Sequence, residues 1–406
     1  MSDAPAMILV PPAFLRESAL AAVLAALPEA RVVGGAVRDT LANRAVTEVD
    51  LATPQTPEAV TKALQAARLR AVPTGIEHGT VTAVSDHQGF EITTLRRDVE
   101  TDGRHAVVAF TDDWRADAAR RDFTINAMSM SRDGAVYDYF GGIADLRAGL
   151  IRFVGDPATR IAEDFLRILR FFRFFARYGA GTPDASAAAA IRHGLHGLTG
   201  LSVERVWSEL SRILAAPDPR GAVLLMDELG VLGAVLPEGA EPSGLGRLVA
   251  AGAPAEPVLR LAALLTGDAA VVAARLRLSA ADRDRLVALR SGPVPQPGDD
   301  DATLRRLLSD AEPALLIDRA WLAGGGASEW AALRQRLAAQ TPPVFPLEGR
   351  DVLALGEPEG PRVGALLRAV RRWWLDGGCV AGRDACMAEL LRQWRGEGER
   401  TLSRDG

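Results

Sequence analysis

Residues 32–53 read VVGGAVRDTLANRAVTEVDLAT. The apolar run Arg31-Val32-Val33 stops at Gly34-Gly35. A helix-like segment follows, opening with Arg38 and Asp39, and a second apolar run carries Glu48 and Asp50. In a strand, residues two apart share a face. Glu48 and Asp50 are therefore expected side by side, with Val49 and Leu51 turned the other way. Two carboxylates so close repel unless a cation lies between them, and Mg²⁺ favours hard oxygen ligands of this kind. A glycine turn ahead of a helix lets backbone N–H groups approach an anion, and Arg38 adds a guanidinium fork. Alone, Gly-Gly is an ordinary turn and Glu-x-Asp an ordinary strand edge. In this order and spacing they read as a nucleotide-phosphate site with its metal.

The bulk properties narrow the setting. A chain of 406 residues, 48% hydrophobic, has room for several domains with real cores. The net charge of −5 argues against a surface that adheres to nucleic acid everywhere, and leaves room for a local basic groove. Cys379 and Cys386 are too few for a disulfide framework or a four-ligand zinc site. Met1–Leu9 lacks the basic-then-apolar pattern of a secretory signal. No apolar run is long enough to span a bilayer, so no membrane partner is expected and the cytoplasm is the expected location.

Around the opening stretch, residues 12–27 read as an amphipathic helix, and Thr56-Pro57-Glu58 starts another, running to about Leu69. Gly79–Ser85 and Phe90–Leu95 read as strands joined by a hairpin turn, with Glu91 placed to join Glu48 and Asp50 as a third carboxylate. Arg96–His105, RRDVETDGRH, has dense charge and no period, and reads as a mobile loop. In DAARRDFTINAMSM, residues 117–130, Arg120, Arg121 and Asp122 precede a helix-like run containing Asn126. Arginines at a helix N-terminus are disfavoured unless an anion is present. Beyond the glycine turn in YDYFGGIADL, residues 137–146, strand signals fade. Asp156-Pro157 opens a helix. Residues 162–178, AEDFLRILRFFRFFARY, read as one amphipathic helix with Asp164, Arg167, Arg170 and Arg173 along a flank. Ser202 is the expected N-cap of the next helix, and 215–219 a boundary. Arg368, Arg371, Arg372, Trp373 and Trp374 form a cationic, aromatic helix, suited either to RNA or to a core with a polar rim.

Five segments, VGGAVRD, EVDLAT, RRDFTINAM, YFGGIADL and EDFLRILRFFR, fall in this order within residues 1–210. Together with the tail segment Pro346–Gly364 they resemble the nucleotidyltransferases that add CCA to tRNA 3′ ends, in the class that includes bacterial poly(A) polymerases. The resemblance implies an α+β head with a small mixed β-sheet, followed by an all-α neck, body and tail. Its divisions would be residues 1–145, 146–216, 217–340 and 341–406. It implies that Gly35 and Arg38, with Gly34 in the same turn, bind triphosphate. Glu48 and Asp50 would hold two Mg²⁺ ions, with Glu91 a further catalytic carboxylate. Arg121, with Asp122 and Asn126 of its segment, would lie at the nucleotide. Asp164 and Arg167 would read the base, with Arg170 and Arg173 on its phosphates or flank. One departure stands out: the family usually has Asp where this chain has Glu48, which reaches one methylene further and implies an altered metal preference.

The implied partners are tRNA, CTP and ATP. Cytosine and adenine both present an amino donor beside a ring-nitrogen acceptor, which a carboxylate and a guanidinium can match. Guanine and uracil present the reverse, and unmatched groups are costly in an enclosed site. The alternatives within the resemblance are a poly(A) polymerase or an enzyme adding only CC or A; outside it, a non-catalytic RNA-binding relic. The charged segment at Arg96–His105 argues against a CC-only enzyme, whose relatives lack a functional loop there.

Overall fold

The computed structural model describes residues 4–102 and 105–402. The chain forms two compact units, Met1–Pro237 and Glu238–Gly406. The first contains the strands β1 (Met7–Ile8), β2 (Arg31–Val33), β3 (Asp50–Thr53), β4 (Arg70–Gly75), β5 (Thr80–Ser85), β6 (Gln88–Thr94), β7 (Arg96–Asp102), β8 (His105–Phe110), β9 (Met128–Met130) and β10 (Ala135–Asp138). Its helices include α1 (Ser18–Ala26), α2 (Gly35–Leu41), α3 (Pro57–Ala66), α4 (Trp114–Ala119), α5 (Gly142–Ala148), α6 (Pro157–Glu163), α7 (Leu166–Tyr178), α8 (Ala185–Gly194) and α9 (Val203–Leu214).

Eight strands make one mixed sheet in the order β1-β10-β9-β2-β3-β6-β5-β4, as the α+β reading requires. Only β3 and β6 run parallel; every other neighbouring pair is antiparallel. The two-residue alternation of β2, β3 and β6 puts Val32, Leu51 and Ile92 on one face, each at most 1% exposed, against Leu20, Val23 and Leu24 of α1 and Val60 and Leu64 of α3. Each such side chain contributes about 1.5–3 kcal/mol by leaving water. That burial fixes the register, and a one-residue slip would turn the whole set outward. The opposite face therefore receives Val33, Asp50 and Ala52. Val33 and Ala52 pack with Leu95 and Trp114, and Asp50 stands in their row. Asp86 and His87 have φ of 47° and 63°. Two consecutive positive-φ residues make the tight hairpin turn expected between β5 and β6.

Three local expectations are corrected. Arg96–His105 is not a structureless loop: β7 and β8 pair from Arg96↔Phe110 to Asp102↔His105, with a register shift between Asp98 and Glu100. Gly103 and Arg104 of that segment lie outside the described residues. A two-stranded ribbon with no third strand needs no alternation of apolar residues, which is why the pattern was silent. Second, DFTINAMSM is not a helix but a single 3₁₀ turn, Thr124–Asn126, followed by β9. All three residues of β9 are buried, so its short apolar run carries no period that separates strand from helix. Arg120 and Arg121 consequently follow the C-terminal end of α4, where positive charge is favoured. Third, the helix expected over 162–178 breaks at Asp164, whose backbone is extended at φ −158° and ψ 106°. Asp164 Oδ1 accepts from the Leu166 N–H at 3.1 Å and starts α7 afresh. Short polar side chains compete with the helix in this way.

The glycine seam turns the chain from β10 into α5. A Cβ on Gly142 would lie 2.2 Å from the Thr124 carbonyl oxygen, so only glycine lets α5 press on the 3₁₀ turn. Asp156 caps α6 as expected, accepting from the Thr159 N–H at 2.8 Å. Ser202 occupies the N-cap of α9 without a side-chain hydrogen bond there. Past residues 215–219, the helix Arg220–Glu228 packs back on α7.

The second unit is built of helices from Pro242–Ala250 to Arg383–Leu402. In it Trp374 is 2% exposed and its indole N–H donates to Ala381 O at 3.0 Å, while Trp373 is 36% exposed. Of the two expectations for that helix, Trp374 fits a core. No described helix is long and apolar enough to cross a membrane.

Candidate functional site

The site lies where the Asp50 face of the sheet meets the arginine flank of α7. Gly34 has φ +66°, a conformation open to glycine, and a Cβ there would come within 3.3 Å of Arg121 Nη1. One turn on, Arg38 is held rather than free. Its Nε bonds Asp39 Oδ1 at 3.1 Å, its Nη1 bonds Asn126 Oδ1 at 2.6 Å, and its guanidinium lies 4.5 Å from the Tyr178 ring centre. Tyr178 in turn donates to Asp39, and burial first, then Asp39, raises its hydroxyl pKa.

Asp50 begins β3, and Glu48 precedes the strand rather than belonging to it. Both still line one cavity with Gly35, Arg38 and Arg173. The parallel register Leu51↔Ile92 brings Glu91 level with Asp50 on the adjacent strand. Partial burial, then Glu91, then Glu48 push the Asp50 carboxyl above the usual aspartate range, and Arg121 only partly opposes them. Such mutual repulsion is what a divalent cation relieves, so the residues fit one. Among the described residues no three His, Cys, Asp or Glu side chains form a ready metal cage.

A larger cavity of about 690 Å³ opens beside Asp50 and is lined by Gly34, Gly35, Arg38, Arg121, Asp164, Arg167 and Arg170. The expected base-reading pair meets here, although through the break before α7 and not through helical spacing. Asp164 Oδ2 accepts from Arg205 Nη2 at 2.8 Å, which leaves two of its roughly four acceptor positions open. Arg167 Nη1 donates to Arg160 O at 2.7 Å and to Glu163. Among the described residues no hydrogen bond is made by its Nε or Nη2. Arg121 pairs with Asp117 at 3.2 Å and reaches Asn126 O at 3.4 Å.

Asp122 and Asn126 line the same cavity with their polar groups already engaged. Asp122 Oδ2 accepts from Arg170 Nε at 2.8 Å, and Oδ1 accepts from Asn126 Nδ2 at 3.1 Å and the Phe123 N–H at 2.9 Å. Burial opposes ionisation of Asp122. Arg170 and these hydrogen bonds outweigh it, and the carboxyl titrates below its usual range. Asn126 thereby joins Asp122 to Arg38, so the α7 arginines and the glycine turn share one polar network. Arg173, bonded to Glu209 Oε1 at 3.3 Å, has its pKa lowered to about 10 by burial first, against Glu209, with Arg170 and Arg212 adding repulsion. It stays charged at neutral pH.

Sequence reasoning missed Arg205, Glu209, Asp117 and Tyr178. Arg205 and Glu209 lie four apart on α9, a spacing visible in the sequence. Glu209 is 4% exposed, and neither its burial nor its aim at α7 was visible.

Arginines and carboxylates converge on one point, an arrangement that fits a nucleotidyl-transfer enzyme. Residues 30–152 match the family described as "Poly A polymerase head domain", and residues 182–241 that described as "Probable RNA and SrmB- binding site of polymerase A". The mouse (Mus musculus) "CCA tRNA nucleotidyltransferase 1, mitochondrial" is 36% identical over 394 residues, covering 90% of this chain and 87% of the mouse protein. A "CCA-adding enzyme" of Anoxybacillus flavithermus is 39% identical over 212 residues, 52% of each chain. A crystal structure of the Bacillus stearothermophilus CCA-adding enzyme in complex with CTP superposes with a TM-score of 0.74 at 26% identity, covering 93% of this chain and 97% of that one. The chain belongs to the CCA tRNA nucleotidyltransferase family.

Proposed function

We propose that this chain adds C, C and A in turn to tRNA 3′ ends, using CTP and ATP without a nucleic-acid template and releasing pyrophosphate. The observation that carries the reading is the single cavity in which Asp50, the glycine turn with Arg38, and the Asp164–Arg167 pair stand together. In it the nucleoside lies against α7. Asp164 accepts from the exocyclic amino group and Arg167 donates to the ring nitrogen. Arg205 fixes the direction of the Asp164 carboxylate, and Arg121, Arg170 and Arg173 flank the nucleotide and its phosphates. Asp122 and Asn126 hold Arg170 and Arg38 in place.

Glu48 and Asp50 would hold two Mg²⁺ ions, with Glu91 sharpening the negative potential beside Asp50. Bound there, magnesium would lower the pKa of the RNA 3′-hydroxyl and neutralise charge on the attacking and leaving oxygens. The 3′-oxygen then bonds to the α-phosphorus, its proton passes to solvent, and the bond from the α-phosphorus to the bridging oxygen breaks. Gly35 and Arg38 orient the triphosphate for this in-line exchange. We divide the chain into a catalytic head, residues 1–145, a base-reading neck, 146–216, and a body and tail, 217–340 and 341–406, that hold tRNA by shape and phosphates.

The test is to incubate the protein with tRNA lacking CCA, supply CTP and ATP separately and together with Mg²⁺, and size the products. Three added nucleotides, C then C then A, are expected. A long A-tail or no product would overturn the assignment.

A further inference from the structure

A second cavity, of about 320 Å³, meets the nucleotide cavity at Asp50. The two share Gly35, Arg38, Asp50 and Phe174, but only the first contains Asp164, Arg167 and Arg121. The second is lined instead by Thr47, Glu48, Arg173, Arg177, Tyr178 and Arg212. We propose that this second cavity is a leaving-group chamber, in which Arg177 and Arg212, with Arg173, receive pyrophosphate after each addition.

The inference rests on the proposed transfer reaction and adds the fate of its product. An in-line displacement puts the nucleophile and the leaving group on opposite sides of the α-phosphorus. With the nucleoside held at Asp164 and Arg167 and the phosphorus at Asp50, the released anion needs a space that also touches Asp50 and excludes the base. The second cavity is such a space. Its charge fits a polyanion. Arg38, Arg173, Arg177 and Arg212 line it, against Asp39, already bonded by Arg38 and Tyr178, and the two proposed metal carboxylates. The counter-charge on the arginines is thin. Glu209 lies 3.3 Å from Arg173 and 3.8 Å from Arg212 and serves both. Among the described residues no carboxylate is within ion-pair distance of Arg177. Like charges crowded around one carboxylate are relieved by an incoming anion.

The arginines on α7 also advance in register. Arg167 and Arg170 face the first cavity, and Arg173 and Arg177, one turn apart, face the second. One helix thus carries a cationic track from the base pocket past the reacting phosphorus. Arg212 comes from α9, and its side chain is 60% exposed. The Pα–O bond that breaks sends its electron pair out with pyrophosphate, and the chamber changes where that anion rests.

The experiment compares wild type with Arg177→Gln, Arg212→Gln and the double variant. It measures the inhibition constant for added pyrophosphate, the rate of pyrophosphorolysis of tRNA ending in CCA, and KM for CTP and tRNA. In the double variant the pyrophosphate inhibition constant should rise about tenfold and pyrophosphorolysis fall in step, while KM for CTP rises less than about threefold. An equal rise in KM for CTP would make these arginines holders of the substrate triphosphate. A rise confined to KM for tRNA would make the cavity an RNA groove. An unchanged pyrophosphate constant would leave no chamber. Each of these overturns the proposal while wild-type addition stands; absence of addition by the wild type would instead defeat the reading beneath it.

Discussion

Replacing Asp50 by Asn should make the metal-free protein more stable while ending nucleotide addition. Asp50 stands beside Glu91 and Glu48, and partial burial and both neighbours raise its pKa. A carboxyl raised in the folded state contributes most when protonated, and loses that contribution as pH rises through its folded value. At neutral pH the ionised side chain therefore costs stability. The group is partly solvated, so each like-charge contact contributes about 0.2–1 kcal/mol after screening, and Arg121 offsets part of the sum. A net cost of about 1 kcal/mol corresponds to roughly 2–4 °C in a unit of this size. Thermal unfolding with EDTA at pH 7.5 should place the Asn variant above wild type by about that amount, and the difference should close as the pH falls into the aspartate range. Added Mg²⁺ should raise the wild-type transition and leave the variant's unmoved. If the variant unfolds below wild type in EDTA, or if Mg²⁺ stabilises both equally, Asp50 is not a strained metal carboxylate and the reasoning fails.

Arg205→Ala removes the 2.8 Å bond that aims Asp164. Its expected effect is a KM for CTP raised about tenfold, with misincorporation of UTP increased, measured by single-nucleotide addition with each triphosphate; unaltered selectivity would separate Arg205 from base reading. Asp122→Asn leaves Arg170 without its buried counter-charge, at a cost of roughly 3 kcal/mol and about 6–12 °C in thermal unfolding at neutral pH. Because the Asp122 carboxyl titrates below its usual range, its contribution is present at neutral pH and lost as pH falls through that lowered value. The two proteins should therefore converge in strong acid, and a gap that persists there would refute the pairing.

Several parts of this protein were legible because a short stretch of chain decides them. The glycine turn needs only Gly34 and its positive φ. The β5–β6 hairpin needs only a tight turn between two β-rich runs, and Asp156 and Thr56 cap helices through residues three positions on. Other parts were not legible locally. The β9 run is buried on both faces and carries no period. The β7–β8 ribbon is made by pairing mostly with residues 106–110, which RRDVETDGRH does not contain. The break at Asp164 depends on whether its carboxylate caps α7 or lies along a helix, and both are compatible with the same letters.

The sequence by itself determined the chemistry on offer: two acidic side chains one residue apart, a glycine turn, and arginines at three-residue spacing. These are properties of neighbouring residues, set by covalent geometry and local hydrogen bonding. The tertiary structure alone decided the partners: Glu91 level with Asp50 across a parallel register, Asn126 joining Asp122 to Arg38, Arg205 turning Asp164, and Arg212 facing Arg173. Except for the Asn126–Asp122 bond, four residues apart, those contacts join separate strands and helices, up to 88 positions apart in the chain. They exist because burying the Val32–Leu51–Ile92 face of the sheet leaves the Asp50 face pointing at α7.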